Sequence, residues 1–181
     1  MAEVVGILAL QGGFEAHAEM LRARGHESRE VRTASELAEC SGLILPGGES
    51  TTVMLALERD QLVAPLSEFV KSGKPVLATC AGTIVLSRQN LGLLDVKVER
   101  NAYGRQLQSF EDLVEIELNG TPQQIDGVFI RAPKIVGVGE QVEVLASYSG
   151  APVVVRQDHI TACTFHPELA ASSILHQAVF G

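Results

Sequence analysis

Val4–Leu10, Leu43–Leu45 and Val76–Ala78 are short apolar runs, and each stops at small residues before a helical pattern begins. A strand with one wet face alternates apolar and polar side chains, whereas a continuous run needs cover on both faces. Gln11-Gly12-Gly13 breaks the first run, and Phe14, Ala18 and Leu21 then share one face of a helix over 14–24 that Gly25 stops. Glu27–Arg32 reads as a second strand, followed by a helical turn over 34–39. Pro46-Gly47-Gly48 forbids continuation of the strand at Leu43–Leu45. Ser50 or Thr51 can cap the helix that follows through Met54, Leu55 and Leu57. Gln61–Ser72 is a further amphipathic helix, and Gly73-Lys74-Pro75 turns into the third run. Repeated strand–loop–helix units of this kind predict a parallel sheet with helices on both faces.

After Leu86 the pattern changes. Asp95–Arg100 and Leu113–Leu118 alternate apolar and polar residues, as half-buried antiparallel strands do. Gly127–Arg131, Ile135–Val138, Val142–Ala146, Val153–Arg156 and Ile160–Phe165 read as more short strands, with helix returning over Leu169–Val179. The expected fold is therefore α/β, a three-layer sandwich around a largely parallel sheet with extra antiparallel strands in the second half. No linker or repeat divides residues 1–181, so one domain is expected.

Composition narrows the function. A net charge of −8, with no Lys/Arg cluster, argues against a nucleic-acid surface. No run approaches the roughly 18 apolar residues of a membrane span. Met1-Ala2-Glu3 lacks the basic start of a signal peptide, and three widely spaced cysteines suit a reducing compartment, so a cytoplasmic protein is expected. Neither G-x-G-x-x-G nor a Gly-Lys-Ser/Thr phosphate loop is present. No His/Cys cluster has zinc spacing, so neither metal nor cofactor is expected.

Cys80 falls where the third run turns into helix, among Ala78, Thr79, Ala81 and Gly82. A strand-to-helix elbow needs small neighbours, and it sets the sulfur at the positive end of a helix dipole. A free cysteine is equally at home as a packed hydrophobe, the reading given to Cys40 and Cys163. Thr164-Phe165-His166-Pro167-Glu168 ends the last strand, where residues i and i+2 share a face. His166 and Glu168 can then stand together, the carboxylate orienting the imidazole. With Cys80 they describe a Cys–His–Glu triad for acyl transfer; His17, His26, His159 and His176 show no such arrangement in the sequence. The oxyanion would need donors: the N–H of Ala81 is one candidate, and a backbone N–H at Gly47-Gly48 is another if that loop lies beside the elbow. Arg100 and Arg131 are the best fixed cations for a substrate carboxylate.

These residues carry a resemblance. The chain is similar to the class I glutamine amidotransferases, and more narrowly to the glutaminase subunits of pyridoxal 5'-phosphate synthase (the PdxT family). The likeness covers nearly the whole chain. It runs through Leu8-Ala9-Leu10-Gln11-Gly12-Gly13, Leu45-Pro46-Gly47-Gly48-Glu49-Ser50-Thr51, Thr79-Cys80-Ala81-Gly82 and Val98-Glu99-Arg100-Asn101 with Tyr103-Gly104-Arg105-Gln106. Phe129-Ile130-Arg131-Ala132-Pro133 and Phe165-His166-Pro167-Glu168 complete it. The resemblance implies hydrolysis of L-glutamine to glutamate and ammonia, with Cys80 as nucleophile, His166 as base and acid, and Glu168 as orienting carboxylate. It implies glutamine contacts at Gly48, Glu49, Ser50, Arg100, Ile130 and Arg131. It also implies a partner, a (β/α)₈-barrel synthase subunit that takes the ammonia to make pyridoxal 5'-phosphate. Two departures stand out: Ala78 replaces the glycine usual two residues before the nucleophile, and the segment between Leu86 and Leu91 is shorter than expected. The rival reading is another cysteine hydrolase or chaperone-like protein of related fold, and a third is a binding module that has lost catalysis.

Overall fold

The computed structural model describes residues 3–100, 109–172 and 174–181. Asn101 and the Tyr103–Gln106 motif lie outside the described residues. Five parallel strands form one half of a nine-stranded sheet: β1 (Val4–Leu8), β2 (Glu27–Val31), β3 (Gly42–Leu45), β4 (Val76–Thr79) and, much later in the chain, β11 (Ile160–Cys163). The helices between them are α1 (Phe14–Ala23), α2 (Ala34–Ala38), α3 (Ser50–Arg59), α4 (Val63–Lys71) and α5 (Ala81–Leu86). The other half is antiparallel: β6 (Ser109–Leu118), β7 (Thr121–Ile130), β9 (Glu143–Tyr148) and β10 (Ala151–Gln157). The order across the sheet is β2-β1-β3-β4-β11-β10-β9-β6-β7. Strands β5 (Val96–Glu99) and β8 (Lys134–Val138) pair separately, and α6 (Ile174–Phe180) closes the chain.

Side-chain alternation explains the layers. In β3, Leu43 and Leu45 enter one core with α2, α3, α4 and α5, while Ile44 enters the other with Leu21 of α1 and Leu175 of α6. In β4, Val76 and Ala78 face the first core and Leu77 the second. Both faces of the central strands are therefore dry, as their unbroken apolar runs required. Ala78 is fully buried between Leu45 and Ala162, so the sheet accommodates its methyl without a break in pairing.

Three local expectations are corrected. The cap of α3 is neither Ser50 nor Thr51 but Glu49, whose carboxylate accepts from the N–H groups of Thr51 (3.1 Å) and Thr52 (2.8 Å). A carboxylate satisfies two orphan donors and complements the dipole, which one hydroxyl does not. The final strand ends at Cys163 rather than Phe165, and residues 167–169 form a 3₁₀ turn, so the last helix begins at Ile174 instead of Leu169. Finally, Asn119 (φ 52°) and Gly120 (φ 74°) form a tight hairpin turn that extends β7 back to Thr121, well before the expected start at Gly127. Pro122 is tolerated because β7 is an edge strand.

Candidate active site

The nucleophile candidate sits where β4 meets α5. Cys80 has φ 45° and ψ −102°, a conformation that costs a non-glycine residue on the order of 1–3 kcal/mol and persists only where its surroundings enforce it. Its N–H donates to the carbonyl of Cys163 (2.9 Å), tying the elbow to the end of β11. The Thr83 hydroxyl donates to the same carbonyl at 2.7 Å. Gly82 allows α5 to come so close to β3 that a Cβ there would stand 2.2 Å from the Leu45 carbonyl oxygen. The small residues around Cys80 are thus a condition of the elbow.

The histidine arrives from the neighbouring strand, just beyond the end of β11, which runs parallel to β4. Its N–H donates to the Val128 carbonyl of β7 (2.8 Å), and Phe165 beside it is fully buried against Phe129, ring centroids 5.3 Å apart. Glu168 projects from the 3₁₀ turn, and its Oε1 lies 2.7 Å from Nδ1 of His166. The expected pair forms, though a turn rather than the pleat of a strand brings it together. Nδ1 being taken, Nε2 is the ring nitrogen left for the Cys80 sulfur. Burial by itself lowers the His166 pKa, but the interactions with Cys80 and Glu168 outweigh it and push it up to about 10. Burial likewise opposes ionisation of Glu168, yet the hydrogen bond from His166 holds its carboxyl below the usual range. At neutral pH the pair is imidazolium and carboxylate.

The Gly47-Gly48 loop does lie beside the elbow. A Cβ on Gly47 would stand 2.4 Å from Cε1 of His166 and 3.3 Å from Cβ of Cys80, so only glycine fits there. The Gly47 carbonyl accepts from Gly13 N–H (3.1 Å), and Gln11 Oε1 accepts from Glu49 N–H (2.6 Å). The loop after β1 therefore grips the loop after β3. Ala81 opens α5, next to the sulfur in sequence. Ile130 is partly exposed, and its carbonyl is 3.9 Å from Cys80 Sγ. Arg131 is exposed with φ 44°, a second strained residue at the same edge. Ser50 is buried and Gly48 exposed. Arg100 bonds to Glu49 (2.8 Å) and to the Thr51 hydroxyl (3.0 Å), so two expected glutamine contacts are partners of each other.

Sequence reasoning missed two residues. His17, in the first turns of α1, places Nε2 3.4 Å from Glu168 Oε2, and its Nδ1 is 2.8 Å from Nε2 of His176 in α6. Both histidines are buried. The available signal was the helix face: His17 falls three residues after Phe14 and four before Leu21, so it points to the core at the end of β1. Burial pushes His17 down to about 4 and His176 down to about 3. Unfolding frees both to bind protons below about pH 6.5, so stability should fall as pH drops from there toward 4. Each contributes about 1.4 kcal/mol per pH unit in that window. Urea unfolding at pH 7 and pH 5 should therefore differ by on the order of 2–4 kcal/mol. Equal midpoints and slopes at the two pH values would contradict buried, neutral imidazoles.

The α/β sandwich is the fold of solved glutamine amidotransferases. A crystal structure of a glutamine amidotransferase superposes with a TM-score of 0.89 at 42% identity, over 97% of this chain and 96% of that one. PurLQS from Thermotoga maritima shares the fold at a TM-score of 0.78 and 18% identity, covering 99% of this chain and 98% of that one. The chain belongs to the SNO glutamine amidotransferase family, whose model matches residues 7–180. Among its relatives are the pyridoxal 5'-phosphate synthase subunits PdxT of Shouchella clausii (45% identical, 96% of this chain and 92% of the relative) and Thermotoga petrophila (47%, 96% and 95%).

Proposed function

We propose that the chain, as a single domain over 1–181, hydrolyses L-glutamine to glutamate and ammonia and supplies the ammonia to a pyridoxal 5'-phosphate synthase. The observation that carries this reading is the array of Cys80 on its strained elbow with His166 and Glu168 beside it. Cys80, its thiol proton held on His166, attacks the side-chain amide carbon as the sulfur anion. His166, already an imidazolium, gives its proton to the departing nitrogen, leaving a thioester and ammonia. Neutral His166 then takes a proton from water, whose oxygen displaces the sulfur as glutamate forms. Glu168 fixes the imidazole through both steps. Backbone N–H groups of Gly48 and Ala81 meet the oxyanion.

Glutamine's charged end suits the rim. Its α-amino group matches Glu49, and its α-carboxylate matches Arg100 and Arg131, with Ser50 and the Ile130 backbone beside them. The Arg100–Glu49 pair is half exposed and worth no more than about 1 kcal/mol, so substrate can part it. The partner is a (β/α)₈-barrel subunit, and the setting is cytoplasmic.

Free ammonia is wasted when the acceptor site is empty, so docking should control turnover. The Gly47-Gly48 peptide, gripped by Gly13 and neighboured by Gln11, is the element through which docking acts. One oxyanion donor is worth about 3–4 kcal/mol, a rate factor on the order of a hundred or more. Ammonia release should rise by that factor when the synthase subunit is added, and Gln11→Ala should diminish the gain. Equal turnover with and without the partner would sink the docking control. No ammonia under either condition would sink the glutaminase reading.

A further inference from the structure

The triad does not end at Glu168. Its Oε1 is bonded to His166, but Oε2 is buried with no hydrogen-bond partner among the described residues. A buried carboxylate oxygen left in that state is costly, and the donor poised to relieve it is Nε2 of His17, 3.4 Å away. The hydrogen bond that this nitrogen makes is with Thr79 Oγ1 (3.4 Å), at the end of β4 just before the elbow, and Oε2 lies at the same distance beside it.

The hydrogen-bond directions can be worked out from the groups themselves. An ionised carboxylate only accepts, so His17 must carry its proton on Nε2 to serve Glu168. Its Nδ1 is then an acceptor, and His176 Nε2 at 2.8 Å must be the donor. That assignment leaves Nδ1 of His176 unprotonated, and this buried atom has no hydrogen-bond partner among the described residues. Burial keeps both rings neutral at physiological pH, so the chain supplies dipoles and adds no net charge.

We infer that His17, with its tautomer set by His176, is a positioning residue for the reaction: it steers Glu168 through Oε2 while His166 works on the other carboxylate oxygen. Its contribution changes through the cycle. While His166 is an imidazolium, the carboxylate is held and neutralised through Oε1. Once His166 has given its proton to ammonia, that charge is less compensated, and the His17 N–H becomes the fixed donor that stops the carboxylate from swinging away. Loss of His17 should therefore lower kcat and leave KM for glutamine unchanged, since no atom of His17 faces the rim where substrate binds. The inference rests on the glutaminase reading for its kinetic consequence, but not for its geometry.

The test compares two polar replacements in the complex with the synthase subunit. In His17→Gln the amide nitrogen falls close to where Nε2 was, so it can still donate to Glu168; in His17→Asn it stops short. His17→Gln should stay within about threefold of the parent kcat, while His17→Asn should lose about tenfold or more at unchanged KM. Circular dichroism and thermal melting check that both fold. Alkylation of Cys80 by iodoacetamide, followed by mass spectrometry, reads the same machinery without glutamine and should slow in Asn only. Equal kcat and equal alkylation in the two variants, or a loss confined to KM, would overturn the inference and leave the glutaminase reading standing. If the parent complex releases no ammonia yet alkylation still separates Asn from Gln, the glutaminase reading fails and the His17 inference stands.

Discussion

Cys80→Ala should release no ammonia from glutamine above background, a fall on the order of 10⁴–10⁶-fold from the parent complex. No other thiol can substitute. Cys163 is fully buried with its thiol pushed well up by burial, and Cys40 sits at the end of α2 with its sulfur on the Glu36 carbonyl. The variant should still fold, because the elbow is held by backbone bonds to Cys163 and by the close approach at Gly82, which survive loss of the sulfur. Removing one buried sulfur costs about 1 kcal/mol. Cys40→Ala, a loss of similar size far from the site, should keep its activity. Ammonia release near the parent rate from Cys80→Ala, measured with the synthase subunit present, would remove the triad assignment.

Glu168→Gln should lower kcat by on the order of 10³–10⁴-fold, less than His166→Ala, because an orienter contributes less than the base it orients. The amide keeps the size of the carboxylate but removes the charge that supports the imidazolium. His166 sits near 10 partly because of that charge, so the limb of the pH–rate profile that reports it should move to lower pH. The sign follows from the pair: an imidazolium without a counter-charge gives up its proton more readily. Kinetics between pH 6 and 10 check both effects, and an unimpaired Gln variant would return Glu168 to a purely structural role.

Much of this was legible beforehand where one residue type does one job. The apolar runs at Val4, Leu43 and Val76 marked the buried strands because no other placement dries both faces. The small residues around Cys80 marked the elbow for a similar reason, since a larger side chain at Gly82 would meet the Leu45 carbonyl. Glu49 as the cap of α3 was harder: with Ser50 and Thr51 adjacent, three side chains compete, and the winner is decided by which reaches two N–H groups at once. His17 and His176 were illegible for another reason. They meet across 159 residues of sequence, and only the packing of α1 and α6 on the same face of the sheet joins them. The 3₁₀ turn at Pro167 had the same character, since the local pattern allowed the strand to continue and the tie from His166 to Val128 ends it.

The place of β11 between β4 and β10 has a consequence for the making of the protein. Strands β1 to β4 are complete by Thr79, yet β4 must wait for Ile160–Cys163 to fill its open edge. While the chain is still emerging from the ribosome, that edge offers unpaired N–H and C=O groups and a mostly apolar strand, the features that invite wrong partners. The same late strand carries the carbonyl that anchors Cys80, and it leads directly into His166 and Glu168. A chain cut short during synthesis therefore lacks His166 and Glu168 and exposes the open edge of β4 together. Quality control that recognises exposed strand edges would remove just those molecules that lack these two residues.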